Sequence, residues 1–573
     1  MSAAEPITIA TDVLVIGSGA AGMYAAIEAA RRGSSVLLAD RSLIGRGGAT
    51  VMAQMTVAVA LGEETPDDPR HHFDDTIAAG RGLCDEALAQ LLCEDAPDCI
   101  RELDRWGVGW ARKDGHITAA QAPGHDRPRC VYVDFISTGP AVSKTLRAEM
   151  ARHHKSIRKA GDLCVVDLIV HDGAVGGAIA WHLSSGAPVV IAAKSTVLAT
   201  GGLTRLFARN SASANMGGDG YALALRAGAQ LIDMEFLQFF PIGHLAPRLV
   251  GLDPIMWDPF RYKLGGILLN GAMEPFEERY ADANRRHDGQ YILTRDLATY
   301  AITQEVEAGR GSPAGGAFLS FRHIPEAELR RAFGPIIDTL AKNGIDLTQQ
   351  PIEVSPIAHY HMGGVRVDTS FATAVPNLFA AGEAVGGANG ANRLSGNGIT
   401  EALAFGARAG ESAAKLVRTS PAQWTPGAVA PALDMLAQRT KTYSNPAELI
   451  VALQVLMTKW VGPFRTAARL DDALAAVERM TADISDVPMA DGAPFDRVLL
   501  DWLDLRNMLL VAKSVILGAI ARSESRGAHQ REDFPGADDA WLCNQVVTLK
   551  DGALCLDRMP VAHASRERVR VPA

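Results

Sequence analysis

Short apolar runs that close on glycine and open into helical patterns recur along the chain. The first, Asp12-Val-Leu-Val-Ile16, has strand length and leads directly into Gly17-Ser-Gly-Ala-Ala-Gly22 and then Met23-Tyr-Ala-Ala-Ile-Glu-Ala-Ala-Arg31, which is patterned as a helix. Ser35-Val-Leu-Leu-Ala-Asp40 reads as a second strand ending in an acid, and Ser195-Thr-Val-Leu-Ala-Thr-Gly-Gly202 as a buried strand entering another glycine turn. This style fills the chain to residue 232 and returns over 351–425. The intervening 233–350 is mixed and richer in Pro, Arg and aromatics. Beyond a Pro-rich junction the chain turns helical: Leu505, Leu509, Ala512, Ile516 and Ala519 recur at alternating steps of four and three, one face of a bundled helix. The pattern predicts an α/β fold in three parts: a discontinuous Rossmann-like domain (1–232 and 351–425), an inserted α+β capping domain (233–350) and a C-terminal helical domain (426–573).

The order strand, glycines, helix has a chemical reading. Gly17 permits a tight turn, Gly19 lets backbone approach a pyrophosphate, and Gly22 lets the helix pack on the strand with phosphates at its N-terminus. Asp40 follows Gly22 by 18 residues, the spacing of a carboxylate that accepts ribose hydroxyls. A second constellation combines His359-Tyr-His-Met-Gly-Gly364, Ala380-Ala-Gly-Glu383 and Gly390-Ala-Asn-Arg-Leu-Ser-Gly-Asn-Gly398. It sets one imidazole, His359, and one guanidinium, Arg393, among glycines that admit a large planar ligand. A flavin dinucleotide is the expected cofactor.

At 573 residues and 48% hydrophobic, the chain buries more than one ordinary core. A net charge of −9 argues against a nucleic-acid partner and supplies no polybasic membrane patch. No apolar run reaches the roughly 18 residues that span a bilayer, and the first eleven residues lack the regions of a signal peptide, so a cytoplasmic location is expected. The seven cysteines, Cys84, Cys93, Cys99, Cys130, Cys164, Cys543 and Cys555, show none of the grouped spacings that hold zinc or iron–sulfur clusters. No metal centre is expected in this chain, and the cysteines read as small apolar core residues.

The chain resembles the family of succinate dehydrogenase and fumarate reductase flavoprotein subunits, which includes L-aspartate oxidase. The motifs, in family order, are the Gly17–Gly22 turn; Gly48-Ala-Thr-Val-Met-Ala-Gln54; Gly124-His125 with Asp134 and Thr138-Gly139; Ala199-Thr-Gly-Gly202; and Gly217-Gly-Asp-Gly220. They continue with Asp233-Met-Glu-Phe-Leu-Gln-Phe-Phe-Pro241, Arg295-Asp296, the 359–364 and 390–398 segments, Val461-Gly-Pro-Phe-Arg465 and Glu524-Ser-Arg-Gly-Ala-His-Gln-Arg-Glu-Asp-Phe-Pro535. The resemblance implies FAD, a mobile cap, and hydride transfer between flavin N5 and a carbon next to a carboxylate. It implies cofactor contacts from Gly17, Gly19, Ala20, Ala21, Gly22, Asp40, Arg41, Gly48, Ala49, Thr50, Gln54, Thr200, Gly201, Gly202, Asp219, Glu383, Asn397, Gly398 and Ile399. It also implies that His359 and Arg393 bind the substrate carboxylate. The family's dehydrogenases attach FAD through a histidine at the position of Ala49, so here the FAD is expected to be noncovalent.

Other positions depart from the family. Gln238-Phe239-Phe240-Pro241-Ile242 carries Phe240 where a histidine holds a second carboxylate. Ile255-Met-Trp-Asp-Pro-Phe-Arg-Tyr-Lys263 lacks the family's Thr-Glu pair, and Tyr300 stands at the position of the proton-shuttle arginine. A simple C4-dicarboxylate is therefore not expected. Phe240, Trp257 and Tyr262 suggest a more apolar pocket for a substrate with one carboxylate. Tyr300 is a candidate proton donor, its phenol open to lowering by Arg261, Lys263 or Arg295, with packing in the cap as the plain alternative; His244, His361 and Arg261 are further candidate contacts. Gln121-Ala122-Pro123 has no acid to recognise an amino group, which argues against aspartate. Two alternatives stay open: an amino or hydroxy acid oxidase using oxygen, and an electron-transfer protein working with an iron–sulfur partner.

Overall fold

The apolar run that opens the chain becomes the strand Ile7–Ile16, in which Val13, Leu14 and Val15 are fully buried. Burial of each such side chain contributes on the order of 2 kcal/mol. This strand pairs in parallel with Val36–Ala39 on one side and Ala187–Leu198 on the other. The full sheet has seven strands. Its order is Ile157–Ala160, Val36–Ala39, Ile7–Ile16, Ala187–Leu198, Ala174–His182 and Leu163–His171, with Leu378–Ala380 also parallel to Ala187–Leu198. Helices Ala20–Arg31 and Asn397–Leu416 lie together, since a Cβ on Gly410 would come within 2.3 Å of Ala25 O. Sequence-distant segments thus share one layer, and the Rossmann-like part is discontinuous.

The computed structural model describes residues 6–563 apart from 135, 250–253, 258–263, 281–285, 288–289, 292–294, 418–423, 439–444, 485–487 and 489–492. The chain forms two compact units. The first comprises Met1–Ala208, Ala212–Leu237 and Tyr360–Ala573; the second comprises Arg209–Ser211 and Gln238–His359.

The first unit includes the C-terminal helices Pro426–Ala437, Pro446–Trp460, Ala467–Asp483 and Arg497–Ala521. Leu505, Leu509, Ala512, Ile516 and Ala519 are all buried along the last of these. The C-terminal part is not helical throughout: a hairpin, Cys543–Lys550 with Ala553–Pro560, joins Leu231–Ile232 and Gly364–Val365 in a four-stranded sheet.

The second unit carries a sheet in the order Leu237–Ala246, Ile352–His361, Ala317–Ser320 and Ile267–Leu269, with helices Arg295–Glu307, Glu326–Phe333 and Pro335–Lys342. Its limits fall later than the 233–350 expected for the cap, for two reasons. Asp233 stays with the first unit because its carboxylate accepts from Asn544 Nδ2 at 2.5 Å and Gln545 N at 2.9 Å. Ile352–Val354 pairs with Ala317–Leu319, which carries residues 351–359 into the second unit.

Among the described residues no group of His, Cys, Asp and Glu is arranged to hold a metal ion, and no helix is long and apolar enough to cross a membrane. All seven cysteines are free thiols, five of them buried.

Candidate functional site

The first glycine turn is fixed by close packing. Gly17 has φ +100°, and a Cβ there would lie 2.3 Å from Ala199 O; a Cβ on Gly22 would lie 1.9 Å from Gly17 O. Space remains at Gly19, where a Cβ would meet only Thr50 Oγ1 at 3.6 Å. The helix Ala20–Arg31 opens on Gly19 with its first N–H, of Ala20, donating to Thr50 Oγ1 at 3.1 Å, while Asp219–Arg226 and Asn397–Leu416 open on Gly218 and Gly396 without a side-chain cap. Uncapped N-termini present backbone N–H groups and positive dipole ends to an anionic ligand. The segment 47–56, with Gly48, Ala49, Thr50 and Gln54, is half-buried throughout. Thr200 Oγ1, between Ala199 and Gly201, is buried without a hydrogen-bond partner among the described residues. An open glycine cradle, uncapped helix ends and an orphaned buried hydroxyl fit a dinucleotide.

Two carboxylates compete for the ribose role, and counting their acceptor sites separates them. Asp40 Oδ2 accepts from Ser18 N and Oγ at 2.8 and 2.6 Å, and Oδ1 accepts from Ser42 N and Oγ, both at 2.8 Å. A carboxylate has about four lone-pair sites, so the expectation for Asp40 is corrected: its oxygens are committed to the protein. Among the described residues Asp219 accepts only from the side chains of Arg41, through Nη1 at 2.8 Å, and Asn507, through Nδ2 at 3.2 Å, which leaves capacity for a ligand. Asn397 likewise turns its side chain inward, to His72 Nε2 at 2.8 Å and Thr76 Oγ1 at 3.2 Å, which leaves only its backbone to face a ligand.

Arg393 is buried in the first unit with its guanidinium 4.4 Å from the centre of the Tyr360 ring. Tyr360 in turn donates to Glu401 Oε2 at 2.5 Å, which also accepts from Asn389 Nδ2 at 2.6 Å. Burial pushes the Glu401 carboxyl up to about 7 against those two hydrogen bonds. Glu383, which accepts from His361 N at 3.1 Å, is pushed up by burial to about 8. None of Tyr360, Glu401 and Asn389 was singled out from sequence. Tyr360 lies inside a recognised motif, but Glu401 has no local signal because its partner is 41 residues away.

His361 has both ring nitrogens engaged, Nδ1 at 3.1 Å from Tyr221 Oη and Nε2 at 3.1 Å from Met234 O; burial lowers it to about 4. It is a neutral scaffold histidine, which corrects its candidacy as a ligand contact.

In the second unit, His359 lies half-buried near the end of the strand Ile352–His361. Ser211 Oγ is 2.8 Å from His359 Nδ1, and the Phe240 ring meets the imidazole edge-on at 5.5 Å. Phe240 also packs with Met256 and Ile357. Trp257 does not line a pocket as expected. It is fully buried in the core against Phe321 and Phe333 and donates to His244 Nδ1 at 3.1 Å. His244, whose Nε2 is 2.6 Å from Pro247 O, is a scaffold residue too. Tyr300 meets Tyr280 edge-on at 5.9 Å, and the Tyr280 hydroxyl donates to Glu305 at 2.8 Å. Although burial opposes it, hydrogen bonds from Arg310 and Tyr280 hold the Glu305 carboxyl down at about 2. Arg261, Tyr262 and Lys263 lie outside the described residues, as do the side chains of Arg295 and Asp296.

Comparison with known proteins places this geometry. A family profile described as FAD binding domain matches residues 12–399, and one described as fumarate reductase flavoprotein C-term matches residues 451–570. The chain belongs to the fumarate reductase and succinate dehydrogenase flavoprotein family. It is 34% identical to a fumarate reductase (CoM/CoB) subunit of Methanothermobacter marburgensis, covering 94% of this chain and 97% of that one. L-aspartate oxidase of Streptomyces coelicolor is 32% identical over 94% of this chain and 92% of its own length. Among solved structures, Mycobacterium smegmatis Sdh1 in complex with UQ1 matches with a TM-score of 0.88 and 35% identity, covering 97% and 95% of the two chains. A variant of E. coli quinol fumarate reductase FrdA matches with a TM-score of 0.88 and 29% identity, covering 98% of each. This family member is an FAD-dependent oxidoreductase, with the mixed α/β architecture expected of it.

Proposed function

We propose that the protein adds hydrogen to, or removes it from, a C–C bond next to the carboxylate of a substrate other than a simple C4-dicarboxylate. The observation that carries this reading is the setting of Arg393. Its guanidinium is buried 4.4 Å from the centre of the Tyr360 ring, and burial pushes the nearby Glu383 and Glu401 carboxyls toward their neutral forms. A buried planar guanidinium binds a carboxylate through two parallel hydrogen bonds.

FAD, held by the residues of the glycine cradle, supplies or accepts the hydride when bound. In the second unit the His359 ring is set by Ser211, and the family resemblance assigns carboxylate binding to His359 and proton transfer to the position of Tyr300. Phe240 beside His359 supports an apolar or aromatic remainder on the substrate, because a phenyl ring offers no donor to a second carboxylate. With alanine at position 49 the FAD is noncovalent. Electrons go on to a further acceptor; the names of several relatives mark them as single subunits, which supports a separate partner chain in that role, and the family resemblance implies that such a partner carries iron–sulfur clusters.

The test is an anaerobic panel of carboxylic acids scanned for bleaching or reoxidation of the flavin. Monocarboxylates with apolar substituents are expected to respond. Faster turnover of succinate or fumarate than of every monocarboxylate tested would refute the substrate reading. Rapid reoxidation by oxygen after photoreduction would instead favour an oxidase.

A further inference from the structure

The long helix Arg497–Ala521 reaches two of the residues assigned to the cofactor. Asp504, nearly inaccessible, pairs with Arg41 Nη2 at 2.6 Å and with Arg205. Asn507, one turn further on, donates to Asp219 Oδ1 at 3.2 Å and accepts from Arg226 Nη1 at 2.9 Å. Arg41 Nη1 closes the loop by donating to Asp219 Oδ2 at 2.8 Å. Arg41 therefore bridges two carboxylates, one from the Rossmann-like layer and one from the C-terminal helix.

Positions 504 and 507 lie on one face of the helix, as residues three apart do. Arg41 follows the strand Val36–Ala39, and Asp219 stands in the first turn of a helix opened by Gly218. We infer that Asp504 and Asn507 are positioning residues for FAD: the C-terminal helix holds Arg41 and Asp219 in the orientation that takes the cofactor, so FAD affinity is linked to the seating of that helix.

The physical argument is competition for Asp219. A guanidinium held between two carboxylates shares its donors between them; without Asp504 its charge falls wholly on Asp219, which then has less capacity to accept from a ligand hydroxyl. Asn507 fixes the other oxygen of the same carboxylate, and it is itself fixed by Arg226. Asp504 is nearly inaccessible and the other members of the network are partly buried, so the loss of one charged partner is costly. By linkage, whatever orders this pair in the folded chain raises affinity for a ligand that needs it ordered.

The proposal rests on Arg41 and Asp219 as cofactor residues, and the experiment separates the two claims. Holoenzyme is diluted, released FAD is followed by its fluorescence, and the Kd is obtained for each variant beside the melting temperature with and without saturating FAD. Asp504→Asn is expected to raise the Kd for FAD at least tenfold, and Asn507→Ala several-fold, with a smaller melting-temperature gain from added FAD. Lys513→Ala, which removes the ion pair with Glu478 elsewhere on the same helix, is expected to leave the Kd unchanged. Asp219→Asn tests the underlying reading: an unchanged Kd there overturns it and the proposal together. A weakened Asp219→Asn with wild-type Kd in Asp504→Asn and Asn507→Ala overturns the positioning role alone, even if both variants melt earlier. Should Asp504→Asn fail to fold, Asp504→Glu takes its place; it keeps the charge on a longer arm, and a wild-type Kd in both it and Asn507→Ala overturns the proposal.

Discussion

The guanidinium of Arg393 lies over the ring of Tyr360, 4.4 Å from its centre, and Tyr360 is anchored through its hydroxyl to Glu401. One buried chain of contacts thus supports the cation proposed to take the substrate. Arg393→Ala is expected to retain FAD and lose about 3 kcal/mol or more of transition-state stabilisation, the scale for truncating one partner of a buried charge pair. Arg393→Lys, a point charge without the planar fork, should recover only part of the loss. Steady-state kinetics with any substrate that bleaches the flavin measures both, and wild-type kcat/KM in Arg393→Ala would sink the assignment.

The Glu401 carboxyl makes stability depend on pH with a definite sign. Its folded value, raised by burial to about 7, lies above its ordinary value of 4.5. The folded state therefore holds the proton more tightly, and stability falls as pH rises from 4.5 toward 7. A shift of this size corresponds to about 3 kcal/mol between the two ends of that window. Glu401→Gln keeps an oxygen for Tyr360 and Asn389 but has no proton to lose, so its melting temperature should fall less between pH 5 and pH 8 than that of the wild type. Parallel melting curves for the two proteins would count against this.

Tyr300 stands where the family carries an arginine. Tyr300→Phe keeps the edge contact with Tyr280 while deleting the phenolic proton. If Tyr300 is the proton donor, substrate binding persists and the chemical step slows by about 10²-fold or more. Single-turnover flavin reduction or reoxidation reads that step directly, and a normal rate assigns the proton to another group. Tyr300→Arg is not expected to create fumarate reduction, because Phe240 and the altered 255–263 segment remain.

Ala49 leads to a prediction needing no substrate. Acid precipitation of the purified protein is expected to release all flavin to the supernatant; yellow colour retained in the washed pellet would demonstrate a covalent link through some other residue.

The sequence by itself determined what depends on neighbours along the chain. The spacing of Gly17 to Gly22 and the apolar run Val13 to Ile16 are legible from local sequence, and with them the family; that Gly17 must also clear Ala199 O, 182 residues away, is a tertiary contact. The five-residue stripe from Leu505 to Ala519 is legible for the same reason, since helical spacing is a local property.

Tertiary structure decided which polar groups are already engaged. Asp40 has the spacing of a ribose acceptor, yet Ser18 and Ser42 fill its oxygens, while Asp219 is left half open. Trp257, His244 and His361 look like pocket residues in sequence and are core or scaffold in three dimensions. Glu401 and Asp504 gave no signal because their partners, Tyr360 and Arg41, lie far away along the chain. Backbone turns and helical faces are set over a few residues by sterics and periodicity. Whether a carboxylate or imidazole can meet a ligand depends on hydrogen-bonding capacity left after distant segments have packed against it, and that is settled only when the chain has folded.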